Sequence, residues 1–260
     1  MAKDRRWTVV TGASSGIGAE LARAFAAGGS SLVLVARRRE RMEELAAELR
    51  DVRNIAVEIM TLDLEDTAAP AALVRALDSL GIIIHTLVNN AGFGLRGSFA
   101  ELPYDEQIGM VELNVVALTK LCRMVLPGLI ARRRGGILNL ASTAAFQAGP
   151  NMAVYYATKA FVLSLSEALH EEAKPHGVTV TALCPGPVAT EFQARADMKM
   201  TRALEFAAIP AAEVARVGVA GYEARRAIVI PGLANQFGAW GAQHLAPRFL
   251  TRKIAGKVQA

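Results

Sequence analysis

Tyr155 and Lys159 stand four residues apart in the run Tyr155-Tyr156-Ala157-Thr158-Lys159, and Ser142 lies thirteen residues upstream. On a helix, positions four apart share one side, about one turn from each other. An ammonium about 5 Å from a phenol favours the phenolate by roughly 3 kcal/mol at an effective dielectric of about 20. That equals about two pKa units, which would bring a tyrosine from about 10 towards 8. A phenol tuned in this way gives or takes a proton near neutral pH, where general acid–base catalysis is most effective. A half-buried aromatic followed by a solvated lysine has the same spacing, so the rest of the chain must decide between the two.

The composition narrows the choice. At 260 residues, 52% of them hydrophobic, the chain buries a substantial core and suits one large α/β domain or two small ones. The formal charge of +5 is compatible with nucleic acid or an anionic membrane. However, basic runs occur only at Arg37–Arg39, Arg132–Arg134 and the C-terminal end, and aromatics are only 6%. The charge is therefore read as solubility plus a local anionic cofactor, and a nucleic-acid partner is not expected. Cys122 and Cys184 sit in apolar runs, and His85, His170, His176 and His244 are scattered. Neither set has metal-ligand or disulfide spacing, so no metal is expected and a reducing cytoplasm is the expected compartment. Met1–Arg6 lead directly into a strand, which leaves no room for a signal peptide. No apolar run of about eighteen residues is seen, so no membrane span is expected.

The elements that must position the chemistry come in βα order. Trp7–Val10 reads as a buried strand, then Thr11-Gly12-Ala13-Ser14-Ser15-Gly16-Ile17-Gly18 as a glycine-rich turn, then Glu20–Ala27 as a helix. Glycines allow close backbone approach, and the helix N-terminus offers unpaired N–H groups to a pyrophosphate. The spacing G-x-x-x-G-x-G differs from the common G-x-G-x-x-G. A second strand, Ser31–Ala36, ends at Arg37-Arg38-Arg39, and a helix Glu40–Asp51 follows. With no carboxylate at Ala36 or Arg37, the ribose end suits the 2′-phosphate of NADP, held by Arg37 and Arg38. Ser15 occupies a turn position where a second basic residue could sit. Strand Ile55–Leu62 delivers Asp63 and Leu64, the aspartate serving either an adenine amino group or a helix N-cap.

After a helix at Pro70–Leu80, strand Thr86–Val88 ends in Asn89-Asn90-Ala91-Gly92, small enough to let a flat ligand pass. A long helix over Tyr104–Arg133 carries Asn114, a poor mid-helix residue. It marks a kink or a held water, or else a satisfied core amide. Strand Ile137–Ala141 presents Ser142, helix Tyr155–His176 follows, and strand Val178–Leu183 delivers Cys184-Pro185-Gly186-Pro187-Val188-Ala189-Thr190. Residues 191–209, with Phe192, Met198, Met200, Leu204 and Phe206, read as a substrate lid or a surface helix. Helix Ala211–Arg225 and strand Ala227–Ile230 precede a tail over residues 233–260. The unbroken alternation argues for a single domain over residues 1–260, with ligands at the carboxyl edge of a parallel sheet.

Together, Thr11–Gly18, Asp63, Asn89–Gly92, Asn114, Ser142, Tyr155 with Lys159, and Pro185-Gly186 with Thr190 resemble the short-chain dehydrogenase/reductase family, in its single-domain form of roughly 250 residues. The resemblance implies an α/β, Rossmann-like fold: a doubly wound seven-stranded parallel sheet, order 3-2-1-4-5-6-7, with helices on both faces. It also implies reversible hydride transfer between NAD(P) and a carbonyl or alcohol. Tyr155 would then be the general acid, and Ser142 a donor to the carbonyl oxygen. Lys159 would bind the nicotinamide ribose and depress the Tyr155 pKa, and Asn114 would hold a water leading to Lys159. The cofactor would also touch Gly12, Ser14, Ser15, Gly16, Ile17, Gly18, Asn90, Ala91 and Gly92, with Pro185, Gly186, Val188 and Thr190 at its nicotinamide end. Tyr156, three residues before Lys159, competes with Tyr155, although the Ser142 spacing fits the family better with Tyr155. By the same resemblance a homodimer or homotetramer is expected.

Three functions follow as expectations. The first is a cytoplasmic NADPH-dependent carbonyl reductase for a small-to-medium apolar substrate, with Phe93, Leu95 and Phe146 beside the site. The second is an NADP-binding sensor without turnover, which has no use for Ser142, Tyr155 and Lys159 together. The third is a membrane-associated lipid or acyl carbonyl reductase, whose membrane contact would come only through the tail. There Phe237, Trp240, Leu245, Phe249, Leu250 and Ile254 mix with Arg248, Arg252, Lys253 and Lys257. The same segment could instead cover a partner subunit or its own domain.

Overall fold

The structure, a computed structural model, describes residues 5–53, 55–192, 208–244 and 255. Seven parallel strands form one sheet in the order β3-β2-β1-β4-β5-β6-β7. They are β1 (Trp7–Thr11), β2 (Ser31–Ala36), β3 (Val57–Thr61), β4 (Ile84–Asn89), β5 (Gly136–Leu140), β6 (Thr179–Leu183) and β7 (Ile228–Val229). The central strands are buried without alternation, β1 and β6 throughout, because helices cover both faces of a parallel sheet. Alternate residues feed opposite cores. Val9, Val33, Val35 and Leu87 point to one side, and Val10, Leu32, Leu34 and Val88 to the other.

The second side is closed by α1 (Gly16–Ala27), α2 (Arg39–Arg53) and α7 (Ala211–Glu223), with α1 packed on α7. The first side carries α3 (Ala69–Ser79), α5 (Leu118–Arg132) and α6 (Ala153–Ala173). The chain runs outward from β1 to β3, then returns to place β4 on β1's other edge. This reversal opens a crevice at the carboxyl ends of β1 and β4, where ligands bind in open α/β sheets.

Several local features differ from the sequence reading. The expected helix over Tyr104–Arg133 is α4 (Tyr104–Val111), a π-helical segment Glu112–Ala117, and α5. Asn114 lies in the π segment, a winding that often accompanies functional positions. The whole stretch Tyr104–Arg132 is long and apolar enough to cross a membrane by length and composition, where none was expected. Its buried residues Met110, Leu121, Val125 and Leu129 instead join the core beneath the sheet. The last strand is only Ile228–Val229. The tail begins as helix α8 (Leu233–His244), packed on the turn after Ser142. Of the expected lid only residues 191–192 and 208–209 are described, so Met198, Met200, Leu204 and Phe206 lie outside. So do the tail residues 245–254 and 256–260.

Beneath β4 and β5 a polar cluster ties the sheet to α6. Asn89 donates to Asn139 Oδ1 at 2.9 Å, and Asn139 donates to Ser166 Oγ at 2.9 Å. Asn139 and Ser166 are fully buried, so their bonds have no aqueous substitute. Asn139→Ala is expected to leave Asn89 and Ser166 each one hydrogen bond short, keeping only their contacts to Cys122 and the Val162 carbonyl, and to lower stability by about 2–4 kcal/mol in urea unfolding.

Candidate active site

Strand β1 ends in a turn that cannot accept side chains. Gly12 has φ +65, and a Cβ on Gly18 would run into the Gly12 carbonyl oxygen and the Asn90 amide. Asn90 pins this turn by donating to the carbonyls of Thr11 at 2.9 Å and Gly12 at 3.2 Å. Thr11 Oγ1 accepts from the N–H groups of Asn90 and Ala91, both at 3.0 Å. Helix α1 then starts at Gly16, and Ser15 makes no side-chain cap bond to it. The first N–H groups of α1 therefore face the crevice with the positive end of the helix dipole.

Beside the turn, Arg38 donates to Ser14 Oγ at 3.2 Å and Ser15 Oγ at 2.7 Å. It also pairs with Glu191 at 2.8 Å. Arg37 turns the other way, to Glu65 at 3.1 Å and Asp63 at 3.4 Å. Asp63 also accepts from the Glu65 N–H at 3.0 Å, a local turn bond. The two arginines, expected as one clamp, thus occupy different corners.

At the other end of the crevice, Ser142 follows β5 and opens a 3₁₀ turn, Thr143–Phe146, by accepting from the Ala144 N–H at 3.1 Å. Its hydroxyl donates to the Pro185 carbonyl at 3.4 Å and stands beside the Tyr155 phenol, whose charged form it favours. Lys159, one turn further along α6, is buried and donates to the Leu140 carbonyl at 2.7 Å. Its Nζ lies 5.8 Å from the Tyr155 ring centre. Tyr156 also borders the cleft, packed with Ala144 and Met152 and edge-on to the Tyr155 ring at 6.1 Å.

The electrostatics correct the sequence expectation. Burial pushes the Tyr155 phenol up to about 12, and Ser142 only partly opposes it. Burial also brings the Lys159 ammonium down to about 8. The expected cation effect counted the charge and left out the desolvation of the phenol. Here Lys159 is turned to a carbonyl, and desolvation outweighs the charge.

Asn114 stands behind the crevice. It donates to the Phe93 carbonyl at 2.9 Å and Thr158 Oγ1 at 3.1 Å, and accepts from the Phe93 N–H at 3.1 Å. Both its N–H groups are spent on protein partners, and one Oδ1 lone pair is left over. A Cβ on Gly92 would lie 2.8 Å from that oxygen and 3.7 Å from Lys159 Nζ. Thr158 in turn donates to the Tyr155 carbonyl at 2.7 Å, so Asn114 joins the β4 loop to α6.

The other expected positions, from Gly12 through Asp63, Leu64 and Ala91 to Pro185, Gly186, Val188 and Thr190, line one cleft of about 660 Å³ together with Ser142, Tyr155 and Lys159. A family model for short chain dehydrogenases matches residues 6–201. The chain belongs to the short-chain dehydrogenase family. It is a family of oxidoreductases that bind a nicotinamide cofactor.

This short-chain dehydrogenase is similar to a very-long-chain 3-oxoacyl-CoA reductase of Anas platyrhynchos, 34% identical over 190 residues. The match covers 72% of this chain and only 61% of that relative. A short-chain dehydrogenase from Sphingobium yanoikuyae, solved in complex with NADPH, is 36% identical with TM-score 0.82, covering 90% of this chain and 91% of that one. The bulky-bulky ketone specific alcohol dehydrogenase from Comamonas testosteroni is 32% identical with TM-score 0.77, covering 88% and 86%.

The cradle fits a dinucleotide, because Gly12 and Gly18 leave backbone where side chains would obstruct a pyrophosphate. Gly16 (φ +54) lies so close to Thr190 that an added Cβ would be 3.2 Å from its methyl. Gly186 is pressed against Asn235 of α8, which is buried and donates to the Pro231 carbonyl at 3.0 Å. The sequence reading missed Asn235, since an asparagine soon after Pro231-Gly232 reads as part of a turn. It also missed Met152 and Gln147 as cleft walls. Phe93 lines the cleft as expected. Leu95 and Phe146 instead pack into the core beneath the sheet.

Gly18→Ala should weaken nicotinamide dinucleotide binding at least about ten-fold in a fluorescence titration, because backbone must move to admit the methyl. Lys159 carries a second expectation. Its native pKa of about 8 lies below the ordinary 10.5, so holding the charge in the fold opposes stability at pH 7. As pH rises from about 8 to 10.5 the native state sheds its proton before the unfolded state does, and stability recovers. Lys159→Met should therefore raise stability at pH 7 by about 1–3 kcal/mol and lose that advantage above about pH 10, as followed by thermal unfolding.

Proposed function

We propose that this chain is an NADP(H)-dependent reductase that interconverts a carbonyl and an alcohol on an apolar substrate. The observation that carries this reading is the convergence of a phenol and a hydroxyl, Tyr155 and Ser142, on the cleft wall above a buried ammonium. When bound, the nicotinamide supplies or accepts a hydride.

The residues of the chain handle the proton and the oxygen. Tyr155, kept protonated at neutral pH by burial, gives its proton to the carbonyl oxygen and becomes phenolate. Ser142 donates to the same oxygen and orients it, and such a fixed donor stabilises the charge that develops there. The Lys159 ammonium lies close enough to favour the phenolate once it forms. The Lys159 charge thus matters more to the transition state than to the resting phenol. As that charge fades above about pH 8, the reduction rate should decline.

NADP over NAD is supported by Arg38, which reaches Ser14 and Ser15 at the end of the phosphate-binding turn. Of the described positions there, none places a carboxylate at the end of β2, where Ala36 stands. An arginine in this position accommodates a 2′-phosphate. The NADPH complex of the Sphingobium relative agrees with it. The substrate end is walled by Phe93, Leu113, Met152 and Phe192, with the Phe192 ring 5.3 Å from that of Tyr155. These walls favour a bulky apolar ketone, in keeping with the Comamonas relative's name.

A second reading, a long-chain acyl substrate at a membrane surface, is favoured by one further observation. Helix α8 exposes Leu233, Phe237 and Trp240, and residues 224–260 contain no acidic residue. Turnover of long-chain 3-oxoacyl thioesters in preference to bulky ketones, with binding to anionic vesicles, would select this reading. A sensor without turnover is disfavoured, because pure binding gains nothing from the Ser142–Tyr155 contact.

Tyr155→Phe decides the mechanism. It should lower kcat at least about 10³-fold while NADPH affinity stays within about three-fold, measured by single-turnover kinetics and fluorescence titration. Retained turnover would exclude Tyr155 as the acid. In the same assay Arg38→Ala should weaken NADPH about ten-fold or more and leave NADH nearly unchanged.

A further inference from the structure

Building on the NADP(H) reading, we infer that Glu191 is a built-in competitor for the cofactor's 2′-phosphate, occupying Arg38 until the phosphate displaces it. The arrangement is specific. Arg38 offers a fork of N–H donors beside the phosphate-binding turn, with Ser14 and Ser15 at 3.2 and 2.7 Å. The remaining arm of that fork is taken by the Glu191 carboxylate at 2.8 Å. Ser15, which accepts from the same arginine, also favours the charged form of Glu191. An acidic side chain thus occupies the same arginine, beside the same serine, that a phosphate monoester in this corner would use.

Glu191 is carried by the segment that also forms the substrate end. It follows Thr190, which abuts Gly16 of the phosphate-binding turn, and precedes Phe192, which covers the Tyr155 ring. The Glu191–Arg38 pair therefore bridges from this segment to the end of β2, across the mouth of the cleft. On its other side Glu191 borders an adjoining groove of about 450 Å³ that Arg41 lines. Arg41 already attracts the carboxylate through space. The displaced Glu191 thus has a second cation within reach, and the exchange is Arg38 to Arg41.

Both partners of the pair are about half exposed, so the competition is modest in size. It acts only on ligands that carry the 2′-phosphate. Glu191 should weaken NADPH while leaving NADH nearly untouched, which makes it a specificity-determining residue opposed to Arg38.

The test compares wild type with Glu191→Gln, using adenosine 2′,5′-bisphosphate against adenosine 5′-monophosphate, and NADPH against NADH, by titration calorimetry and fluorescence. Glu191→Gln should tighten the two 2′-phosphorylated ligands about three- to ten-fold and change the other two by less than about two-fold. Glu43→Gln, which removes a carboxylate paired to Arg39 on α2, should change none of them. Arg41→Gln should weaken NADPH in wild type and have no effect in the Glu191→Gln background. Equal tightening of all four ligands, no tightening of any, or the same gain in Glu43→Gln would overturn the inference. Equal loss from Arg41→Gln in both backgrounds would overturn the exchange. If wild type prefers NADPH and Glu191→Gln gains nothing, the competitor fails and the NADP(H) reading stands. If wild type prefers NADH yet Glu191→Gln selectively gains the bisphosphate, the cofactor reading fails and the competitor stands.

Discussion

One hydrogen bond fixes the geometry of the catalytic end: the Lys159 ammonium donating to the Leu140 carbonyl at 2.7 Å. Leu140 is the last residue of β5, two before Ser142, and Lys159 lies one helical turn after Tyr155. Joining the two therefore sets the height of α6 against β5, and with it the approach of the phenol to the serine hydroxyl. The charge has little water to fall back on, so an ammonium placed elsewhere in this interior would lose its acceptor. The same desolvation lowers the amine and raises the phenol. At neutral pH this leaves the proton on Tyr155 and the charge on Lys159. A site arranged so is poised to donate a proton, and its cation is stabilised most when the phenol becomes negative.

The backbone around the cleft is held by amides. Asn90 ties the β1 turn to the end of β4, Asn114 ties the β4 loop to α6, Asn139 ties β5 to α6, and Asn235 ties α8 to the loop after β7. Asparagine suits these places because it offers two donors and an acceptor on a short stem, and so satisfies a carbonyl and a neighbouring hydroxyl at once. Each lies where two elements meet at or near the cleft. Buried polar groups that are fully paired make the packing specific as well as stable. The π-helical turn at Glu112–Ala117 belongs to the same logic, since it positions Asn114 to reach both Phe93 and Thr158.

The βα alternation and the cleft at the carboxyl edge were legible in the sequence because they rest on local chemistry: apolar strands, a glycine turn at the first strand's end, and polar residues following each later strand. The strand order followed only from the family resemblance. Element ends shifted by a few residues, as with β7, where a four-residue apolar run yields a two-residue ladder. What the sequence could not supply was long-range. Nothing in the order Ala36-Arg37-Arg38 says that one guanidinium turns to Asp63 and Glu65 and the other to Ser14, Ser15 and Glu191. The direction of the Tyr155 shift depends on how much water the fold removes, which spacing alone does not encode. Leu95 and Phe146 were placed by proximity in sequence to the site, but the loop after β4 and the 3₁₀ turn carry them into the core.

The charge arrangement at the cleft mouth bears on how a strongly anionic ligand is recognised. Arg37 and Arg38 already face carboxylates of the chain. These pairs are partly exposed and individually weak, so they hold the guanidinium forks in position without burying them. An incoming phosphate then exchanges one anion for another, and little ordering of the arginine remains to be done. Selectivity under such exchange is the difference between two pairings, not the strength of either alone. A corner with free arginines would bind any phosphate, including those of unrelated nucleotides. One with an internal carboxylate admits only a ligand whose remaining contacts, along the glycine turn and the α1 N-terminus, outweigh the pair it displaces.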